Sequence, residues 1–317
     1  MDKNIKLGIS SCLLGNVVRY DGSSSRDSFL MDTLGNYLSY VPVCPEVECG
    51  LSIPREPVRL VGNPDAPRLV TTRTGIDHTE RMLSWARKRV VELEDENLCG
   101  FIFKKNSPSS GMERVKVYLD DSGKPVKKGV GMFARAFMEH FPLLPVEEDG
   151  RLCDMHTRDN FIERIFALKR WRELLEGEKH RGSLVAFHTS HKLLILSHGT
   201  RHYQLMGKLV ARAKERSLKE LYAQYESLLL EALKLMATRK KHVNVLQHMM
   251  GYFKNDVTAD EKKELLEAIE SYAQEYVPLI VPLTLINHYV RKYDQPYLKG
   301  QVYLNPHPLE LQIRNHV

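Results

Sequence analysis

Three short apolar segments, each followed directly by a loop of small residues, lie in the first part of this 317-residue chain. The first leads into Cys12 in I-S-S-C-L-L-G, and the second leads into Cys44 in V-C-P-E-V-E-C-G. The third, G-F-I-F, precedes N-S-P-S-S-G at 106–111, which offers serines and no thiol. Because the carboxyl ends of parallel strands converge on one crevice in an open α/β sheet, such loops can share a site. The pattern therefore predicts a soft-metal or thiol site at strand ends.

The hydrophobic pattern changes near residue 150, from alternating strand-like and helix-like segments to almost unbroken helical spacing. The first pattern predicts an α/β domain, with a sheet flanked by helices, and the second predicts an all-α domain. We interpret the polar run E-E-D-G at 147–150 as a break and place the domains at 1–155 and 156–317. A chain of this length also favours two domains over one.

Local patterns predict the individual elements. Strands are predicted at 6–9, 40–43, 69–72, 100–103, 114–118 and 143–146. Helices are predicted within 24–40, from 77 or 79 onward, and at 133–140, 159–176, 183–196, 217–235 and 260–274. Thr258 and Glu261 have the spacing of a capping box, which predicts where the last of these helices begins.

Composition narrows the class of protein. No apolar run approaches the roughly 18 residues of a membrane-spanning helix, and the first residues, M-D-K-N, lack signal-peptide architecture. Five cysteines in a chain of this length do not describe a disulfide framework, and they fit reduced thiols. These features predict a cytoplasmic protein without membrane attachment.

The formal charge of +6 is unevenly distributed along the chain. Residues 1–155 contain 21 Lys and Arg against 22 Asp and Glu, a balance of −1. Residues 156–317 contain the other 25 against 18, a balance of +7. A near-neutral domain joined to a basic one suggests catalysis in the first and an anionic partner bound by the second. Drift in surface charge explains the asymmetry equally well, so charge alone leaves the partner open.

The strand-end thiols allow three interpretations from the residues alone. Free cysteines are often buried hydrophobic residues, although a Ser-Ser-Cys loop at Cys12 and a proline after Cys44 favour exposure. Zinc is disfavoured because the chain has no C-x-x-C pair. Iron–sulfur ligation is compatible with the spacing between Cys44 and Cys49. Cys99 and Cys153 are expected to be structural.

Several separated motifs resemble the thiouracil desulfidase family. They are S-S-C-L-L-G-N-V-V-R-Y-D-G (10–22), V-C-P-E-V-E-C-G-L (43–51), P-R-E-P (54–57) and K-K-N-S-P-S-S-G-M-E-R-V-K-V-Y (104–118). From about residue 161 the chain resembles the YbgA-like helical domain, notably in T-R-K-K-H-V-N-V-L-Q-H-M-M-G-Y (238–252). Together the two halves resemble the two-domain desulfidases that remove sulfur from 4-thiouridine in tRNA.

The resemblance implies a [4Fe–4S] cluster that is held by three cysteines and leaves the fourth iron open. A soft iron of this kind binds a thiocarbonyl sulfur as a Lewis acid. Cys12 and Cys44 match two ligand positions, and Ser110 stands where the family has its third cysteine. A serine oxygen is a harder and far less acidic ligand, so cluster binding should weaken. Cys49 is the slightly preferred alternative as third ligand, and a lost cluster is the remaining interpretation.

Polar residues around these positions are candidates for catalysis and substrate binding. The predicted catalytic residues are Glu46, Ser107 and Ser109. Glu46 is assigned as general acid or base because it lies two residues after a predicted ligand. The two serines are expected to hydrogen-bond the cluster or the substrate base, although turn formation explains them too. The predicted substrate-binding residues, which alternatively only hold their own loop, are Arg19, Tyr20 and Asp21.

The second half carries the predicted RNA contacts. They are Arg201, Arg239, Lys240 and Lys241. Clustered cations beside planar side chains suit a folded RNA, through phosphate contacts and stacking. Several histidines of this half lack carboxylates at ligand spacing, so we expect a solvent-exposed face and not a metal site. They are His191, His198 and His202.

The predicted function is iron–sulfur-dependent, non-redox conversion of 4-thiouridine in tRNA to uridine, with release of hydrosulfide. Two alternatives stay open. One is a desulfidase of free thiouracil or thiouridine nucleotides, a small thiolated pyrimidine in either case. The other is a non-catalytic RNA-binding protein with a degenerate cluster site.

Overall fold

The computed structural model describes residues 5–119, 124–311 and 313–315. The chain divides into two compact units, Met1–Cys153 and Asp154–Val317, which we call the N-terminal domain and the helical domain. Across the described ranges, no helix is both long and apolar enough to cross a membrane.

Strands and helices alternate in the described part of the N-terminal domain. The strands are β1 (Lys6–Ser10), β2 (Ser39–Val43), β3 (Val58–Val61), β4 (Arg68–Thr71), β5 (Gly100–Phe103), β6 (Val115–Tyr118), β7 (Pro125–Gly129) and β8 (Val146–Glu148). The helices are α1 (Pro45–Glu48), α2 (Thr79–Glu92) and α3 (Met132–His140). The predicted α/β class is confirmed, although the strands form two sheets where one was expected.

The first sheet is parallel, with its strands in the order β2–β1–β5–β8. Its central strands are buried on both faces, as the apolar runs of β1 and β5 require. Gly8 allows the ring of Phe101 to pack across β1, since a Cβ atom at Gly8 would lie 2.1 Å from that ring. Ser10 is paired with Val43, so the chain leaves β1 and β2 at neighbouring points of one sheet edge.

The second sheet has the order β4–β3–β6–β7 and mixes parallel and antiparallel pairs. Two of its strands were not predicted. β3 follows a proline-rich segment, and β7 has the sequence P-V-K-K-G, whose lysines indicate a loop more than a strand. Lysines are common on edge strands because they discourage pairing with other chains, and β7 is such an edge.

The helix predicted within 24–40 is only partly present. A π-helical turn spans Phe29–Thr33 and a 3-10 turn spans Leu34–Asn36, before β2 begins at Ser39. Leu30, Leu34 and Leu38 are nevertheless buried as the apolar spacing predicts. Gly35 and Asn36 are poor helix formers, which explains why the segment does not continue as an α-helix.

The polar run at 147–150 is a structured part of the N-terminal domain, which ends at Cys153. Strand β8 includes Glu147 and Glu148 and pairs with β5, and it begins three residues later than the predicted strand at 143–146. Glu147, Glu148 and Asp149 are all buried. Buried carboxylates require partners. Glu148 and Asp149 find theirs in the loop after β5, which is distant in sequence, whereas Glu147 accepts from Arg151, four residues later. The polar run is thus part of a sheet edge, and the two compact units divide a few residues after it, between Cys153 and Asp154.

The helical domain consists of helices and short 3-10 turns in the described residues. Its helices are α4 (Met155–Glu176), α5 (Arg181–His198), α6 (Thr200–Ala211), α7 (Leu218–Lys234), α8 (Arg239–Gly251), α9 (Ala259–Ala273), α10 (Ile280–Lys292) and α11 (Pro296–Lys299). The capping box that was predicted before α9 is present, because Thr258 Oγ1 accepts from the Glu261 amide and Glu261 Oε2 accepts from the Thr258 amide. Trp171 stacks on Tyr225 in the core, with ring centroids 5.2 Å apart.

The histidines of α5 contradict the expected solvent-exposed face. His191 is 3% exposed and His198 is fully buried, whereas His202 on α6 is half-buried. His191 stacks on Phe187 with ring centroids 3.8 Å apart. Since the last turns of α5 are buried all round, its polar residues face other helices and not water.

A buried ionic cluster joins α4 to the last turns of the chain. Arg314 Nη2 donates to Glu163 Oε1 at 2.5 Å, and His198 Nε2 lies 3.3 Å from Glu163 Oε2. One turn earlier on α4, Asp159 Oδ1 lies 3.4 Å from His307 Nε2. Carboxylates four residues apart on one helix thus contact two basic residues of the C-terminal segment, which fastens that segment to the domain.

Candidate functional site

A cleft of about 330 Å³ opens where β1, β2 and β5 end in the N-terminal domain. Cys12 lies in the 3-10 turn after β1, and Cys44 lies between β2 and α1. Residues of the serine loop after β5 form the opposite wall. The side chains that matter most for its chemistry are Cys12, Cys44, Glu46, Lys104, Ser107 and Ser110. The parallel sheet therefore brings together the three loops that the sequence placed at strand ends.

Both cleft thiols are partly withdrawn from water. Burial raises the pKa of the Cys12 thiol, although Lys104 acts in the opposite direction. Burial, with the Glu46 carboxylate as a second cause, raises the pKa of the Cys44 thiol to about 12. Cys44 Sγ lies 3.7 Å from Glu46 Oε2 and 3.9 Å from the Val18 carbonyl oxygen. These thiols are protonated at neutral pH until a metal displaces the protons.

The two candidates for a third ligand occupy different environments. Ser110 lines the cleft, and its amide donates to Ser107 Oγ at 3.0 Å. Cys49 does not line the cleft and belongs to a hydrophobic cluster that includes Leu60 and Met82. Its thiol donates to the backbone oxygen of Glu46 at 3.3 Å, and burial raises its pKa. The third position on the cleft wall is thus occupied by a hydroxyl group.

The three predicted catalytic residues form one hydrogen-bonded chain. Ser109 Oγ donates to Glu46 Oε1 at 2.5 Å, and it lies 3.0 Å from Ser107 Oγ. On the other side of the carboxylate, Arg55 Nη2 lies 3.9 Å from Glu46 Oε2 and donates to the Val18 carbonyl at 3.0 Å. The Glu46 carboxylate is therefore fixed between a hydroxyl group and a guanidinium group.

The predicted substrate-binding residues lie at the rim. Arg19 and Tyr20 line the cleft, and Tyr20 remains exposed. Asp21 is not among the lining residues; its carboxylate accepts from the amide and the hydroxyl of Ser23, at 3.0 and 2.6 Å. Asp21 thus holds the turn of its own loop, whereas Arg19 and Tyr20 are placed where a ligand can reach them.

Sequence reasoning missed four residues of the site. Arg55 and Lys104 lie within the motifs that resemble the family but were given no role, and Glu148 and Asp149 were interpreted as part of a polar break. Lys104 Nζ donates to Asp149 Oδ2 at 2.5 Å, and Glu148 Oε1 accepts from the Met112 amide at 2.6 Å. The signal that could have found them is their position, because Lys104 and Asp149 each directly follow a strand of the same sheet.

The predicted RNA contacts fall into two groups in the helical domain. Arg201 and Lys240 are exposed. Arg239 instead packs on α9, where it donates to the Tyr272 carbonyl at 3.3 Å and lies over the Tyr272 ring. Lys241 Nζ donates to two backbone carbonyls, those of His198 and Met236, at 2.7 Å each, and burial lowers its pKa. Within this set, exposed charge is provided by Arg201 and Lys240.

The fold and the cleft define an α/β domain whose strand-end site combines two thiols, a carboxylate and hydroxyl groups. Comparison with protein families agrees with this description. The family described as 2-thiouracil desulfurase matches residues 7–149, and the family described as protein of unknown function DUF1722 matches residues 192–308.

Two individual relatives each match part of the chain. The uncharacterized protein YbgA of Escherichia coli (strain K12) is 34% identical over 158 residues, which are 50% of this chain and 94% of the relative. The uncharacterized protein YbbK of Bacillus subtilis (strain 168) is 33% identical over 108 residues, which are 32% of this chain and 71% of the relative. The chain belongs to the 2-thiouracil desulfurase family, in a form that is fused to a YbgA-like DUF1722 domain.

A solved structure also matches the chain. It is the [4Fe-4S]-dependent thiouracil desulfidase TudS, at 29% identity and a TM-score of 0.40. The match covers 47% of this chain and 94% of the solved one.

Proposed function

We propose that this protein is an iron–sulfur-dependent desulfidase that hydrolyses the thiocarbonyl group of a thiolated pyrimidine. The reaction replaces C=S by C=O, consumes one water molecule and releases hydrosulfide and a proton. The observation that carries the proposal is the convergence of Cys12, Cys44 and the Glu46–Ser109 pair on one cleft, in a domain of the 2-thiouracil desulfurase family.

The donor set of the cleft fits a cluster that is bound through two thiolates and one oxygen. Cys12, Cys44 and Ser110 come from three loops and line the same space. Thiolates are the usual ligands of iron–sulfur clusters, and the hydroxyl group is the weak member of this set. A bound [4Fe–4S] cluster with an open iron supplies a soft Lewis acid for sulfur. Cys49 would have to leave a hydrophobic cluster to take part.

Glu46 is the residue placed to move the proton. Its Oε1 is occupied by the Ser109 hydroxyl, whereas Oε2 lies on the side of Cys44. Oε2 is therefore the atom that takes a proton from water, or returns one to the departing sulfur. Ser109 fixes the orientation of this carboxylate, and Ser107 in turn fixes Ser109.

For the substrate we propose 4-thiouridine in tRNA. Support comes from the charge balance, since residues 156–317 carry +7 and residues 1–155 carry −1. A basic domain attached to a near-neutral catalytic domain suits a large anionic substrate. Free thiouracil or a thiouridine nucleotide is the second candidate, because the cleft alone is large enough for a small pyrimidine.

The test is anaerobic reconstitution of the full chain with iron and sulfide, followed by incubation with substrate. Loss of thiocarbonyl absorbance and release of hydrosulfide are measured with 4-thiouridine-containing tRNA and with free 2-thiouracil and 4-thiouridine. We expect turnover of the tRNA at lower concentration than of the free base or nucleoside. Cys44→Ala should lose iron and activity, whereas the exposed thiol variant Cys153→Ala should keep both. Full activity in Cys44→Ala would contradict the proposal.

A further inference from the structure

Lys104 and Asp149 are neighbours across the first sheet. Phe103 is paired with Glu148 in the register of β5 and β8, so the next residue of each strand lies at the same point of the sheet edge. Lys104 Nζ donates to Asp149 Oδ2 at 2.5 Å, and the side chains are 21% and 9% exposed. The pair therefore lies largely inside the domain, with Lys104 in the wall of the cleft.

The Asp149 carboxylate that binds Lys104 is itself held in place by the neighbouring backbone. Its second oxygen, Oδ1, accepts from the amide of Lys105 at 2.7 Å, and the Lys104 amide donates to Ser10 Oγ at 2.9 Å. A lysine side chain usually carries much rotamer freedom, so an ammonium group is held in one place only when its partner is itself fixed. Here the partner is Asp149, and it is fixed because its other carboxylate oxygen binds the Lys105 amide.

Glu148 anchors the other end of the same loop. Its Oε1 accepts from the amides of Met112 and Glu113, at 2.6 and 3.3 Å. Consecutive carboxylates at the end of β8 thus hold residues 104–113, the segment that carries the serines of the cleft. Glu148 and Asp149 therefore position this loop, and the contact with Asp149 places the Lys104 ammonium group on the cleft wall.

The Lys104 ammonium group has more N–H donors than it has acceptors among the described residues. An ammonium group has three N–H donors, and among the described residues only Asp149 accepts one from Lys104. Arg55, another cation of the cleft, is already bound to the Val18 carbonyl and lies beside Glu46. Lys104 is therefore a fixed positive charge with free donors in a cleft that also holds the Cys12 and Cys44 thiols.

We propose that Lys104 stabilises the negative charge of the sulfur that leaves the substrate as hydrosulfide, and that Asp149 is its positioning residue. The inference rests on the proposed desulfidase function. As the C=S bond gives way to C=O, the electron pair of the broken bond goes to sulfur, and a donor aimed at that point lowers the barrier. One proton of the attacking water passes to the sulfur by way of Glu46, so that the sulfur leaves as hydrosulfide, and the second proton of the water is released.

The experiment compares Lys104→Met, Lys104→Arg and Asp149→Asn in the full reconstituted protein. Lys6→Met is the matched control, because Lys6 forms an exposed ion pair with Glu96 in the same domain. We expect Lys104→Met to lower kcat by about 10- to 100-fold with KM changed less than about threefold and iron content unchanged. Lys104→Arg should regain part of kcat, and Asp149→Asn should fall between the two.

A second measurement separates this inference from the proposed function. Binding of hydrosulfide to the metal-free protein is measured by calorimetry for the wild type, Lys104→Met and Lys6→Met. We expect only Lys104→Met to weaken binding, by at least about tenfold. If the protein binds hydrosulfide through Lys104 but processes no thiolated pyrimidine, the proposed function is refuted. The binding of an anion by Lys104 is then still supported. Hydrosulfide binding and kcat that are both unchanged in Lys104→Met would overturn the inference.

Discussion

Ser109 Oγ donates a 2.5 Å hydrogen bond to Glu46 Oε1, across 63 residues of sequence. The bond connects the loop after β5 to the segment after β2, and it leaves Oε2 of the same carboxylate 3.7 Å from Cys44 Sγ. A carboxylate with one oxygen bound and the other directed at a thiol has a defined direction for proton transfer. The catalytic role that we propose for Glu46 rests on this geometry.

The first prediction concerns this pair. Glu46→Gln should lower the rate of hydrosulfide release by about 10²- to 10⁴-fold, since the amide cannot exchange a proton at Oε2. Ser109→Ala should have a smaller effect, about tenfold, because the carboxylate remains but loses one orienting bond. Both variants should retain iron, which separates lost proton transfer from a lost cluster. Glu80→Gln, an exposed carboxylate on α2, serves as control. Equal rates for Glu46→Gln and the wild type would exclude Glu46 as general acid or base.

The second prediction separates RNA contacts from structural contacts in the helical domain. Arg201 and Lys240 are exposed, so the double variant Arg201→Gln/Lys240→Gln should weaken tRNA binding and reduce its salt slope by up to about 2. Arg239→Gln should instead lower stability by about 1 kcal/mol, because it loses its contacts with Tyr272. Binding constants at several salt concentrations and thermal unfolding measure the two effects.

The matched control for the RNA experiment removes the same charge elsewhere. Arg87 and Lys88 are exposed on α2 in the N-terminal domain, so Arg87→Gln/Lys88→Gln lowers the net charge of the protein equally. An equal loss of tRNA affinity in this control would show that binding follows net charge and not the helical domain.

The sequence predicts those parts of the site that depend on local patterns, and it does not predict those that depend on contacts between residues far apart in the chain. Cys12 and Cys44 could be placed at neighbouring strand ends because a short apolar run before each one indicates a strand, and parallel strands share an edge. Asp149 could not be placed at the site from the sequence, because its contact with Lys104 depends on the pairing of β8 with β5 across more than 40 residues. A run of acidic residues looks the same locally whether it faces water or a buried lysine.

The histidines of the helical domain illustrate a second limit. Alternating polar and apolar residues in α5 suggest a solvated face, yet this helix is packed against several others. His188 and His191 are buried because their ring nitrogens find Tyr225 and the Phe187 carbonyl. Helical spacing predicts the helix itself, whereas the number of its covered faces depends on the packing of the whole domain.

The third prediction follows from these buried imidazoles. Burial lowers the pKa of His188 to about 4, and it lowers the pKa of His191 and His242 to about 3. Below about pH 6.5 the unfolded chain therefore binds protons that the folded domain does not. The free energy of unfolding should fall as pH decreases from about 6.5 towards 4, at up to roughly 4 kcal/mol per pH unit for three groups.

Denaturant unfolding at several pH values measures this slope. His191→Gln should reduce the slope by roughly one third, whereas His156→Gln, at an exposed position, should leave it unchanged. Stability that stays constant from pH 6.5 to 4.5 would contradict the burial of these rings as neutral groups.

The last prediction decides between the candidate third ligands. Ser110 lines the cleft with Cys12 and Cys44, so Ser110→Cys should complete a three-thiolate site and raise both iron content and retention of iron against a chelator. Cys49 is in a hydrophobic cluster, so Cys49→Ala should keep its iron and lose about 1 kcal/mol of stability from poorer packing. Iron per chain, chelator resistance and thermal unfolding are measured for both, with Cys153→Ala as the exposed-thiol control. The opposite pattern, with no gain from Ser110→Cys and complete loss of iron in Cys49→Ala, would mean that the α1 segment rearranges to bring Cys49 into the cleft.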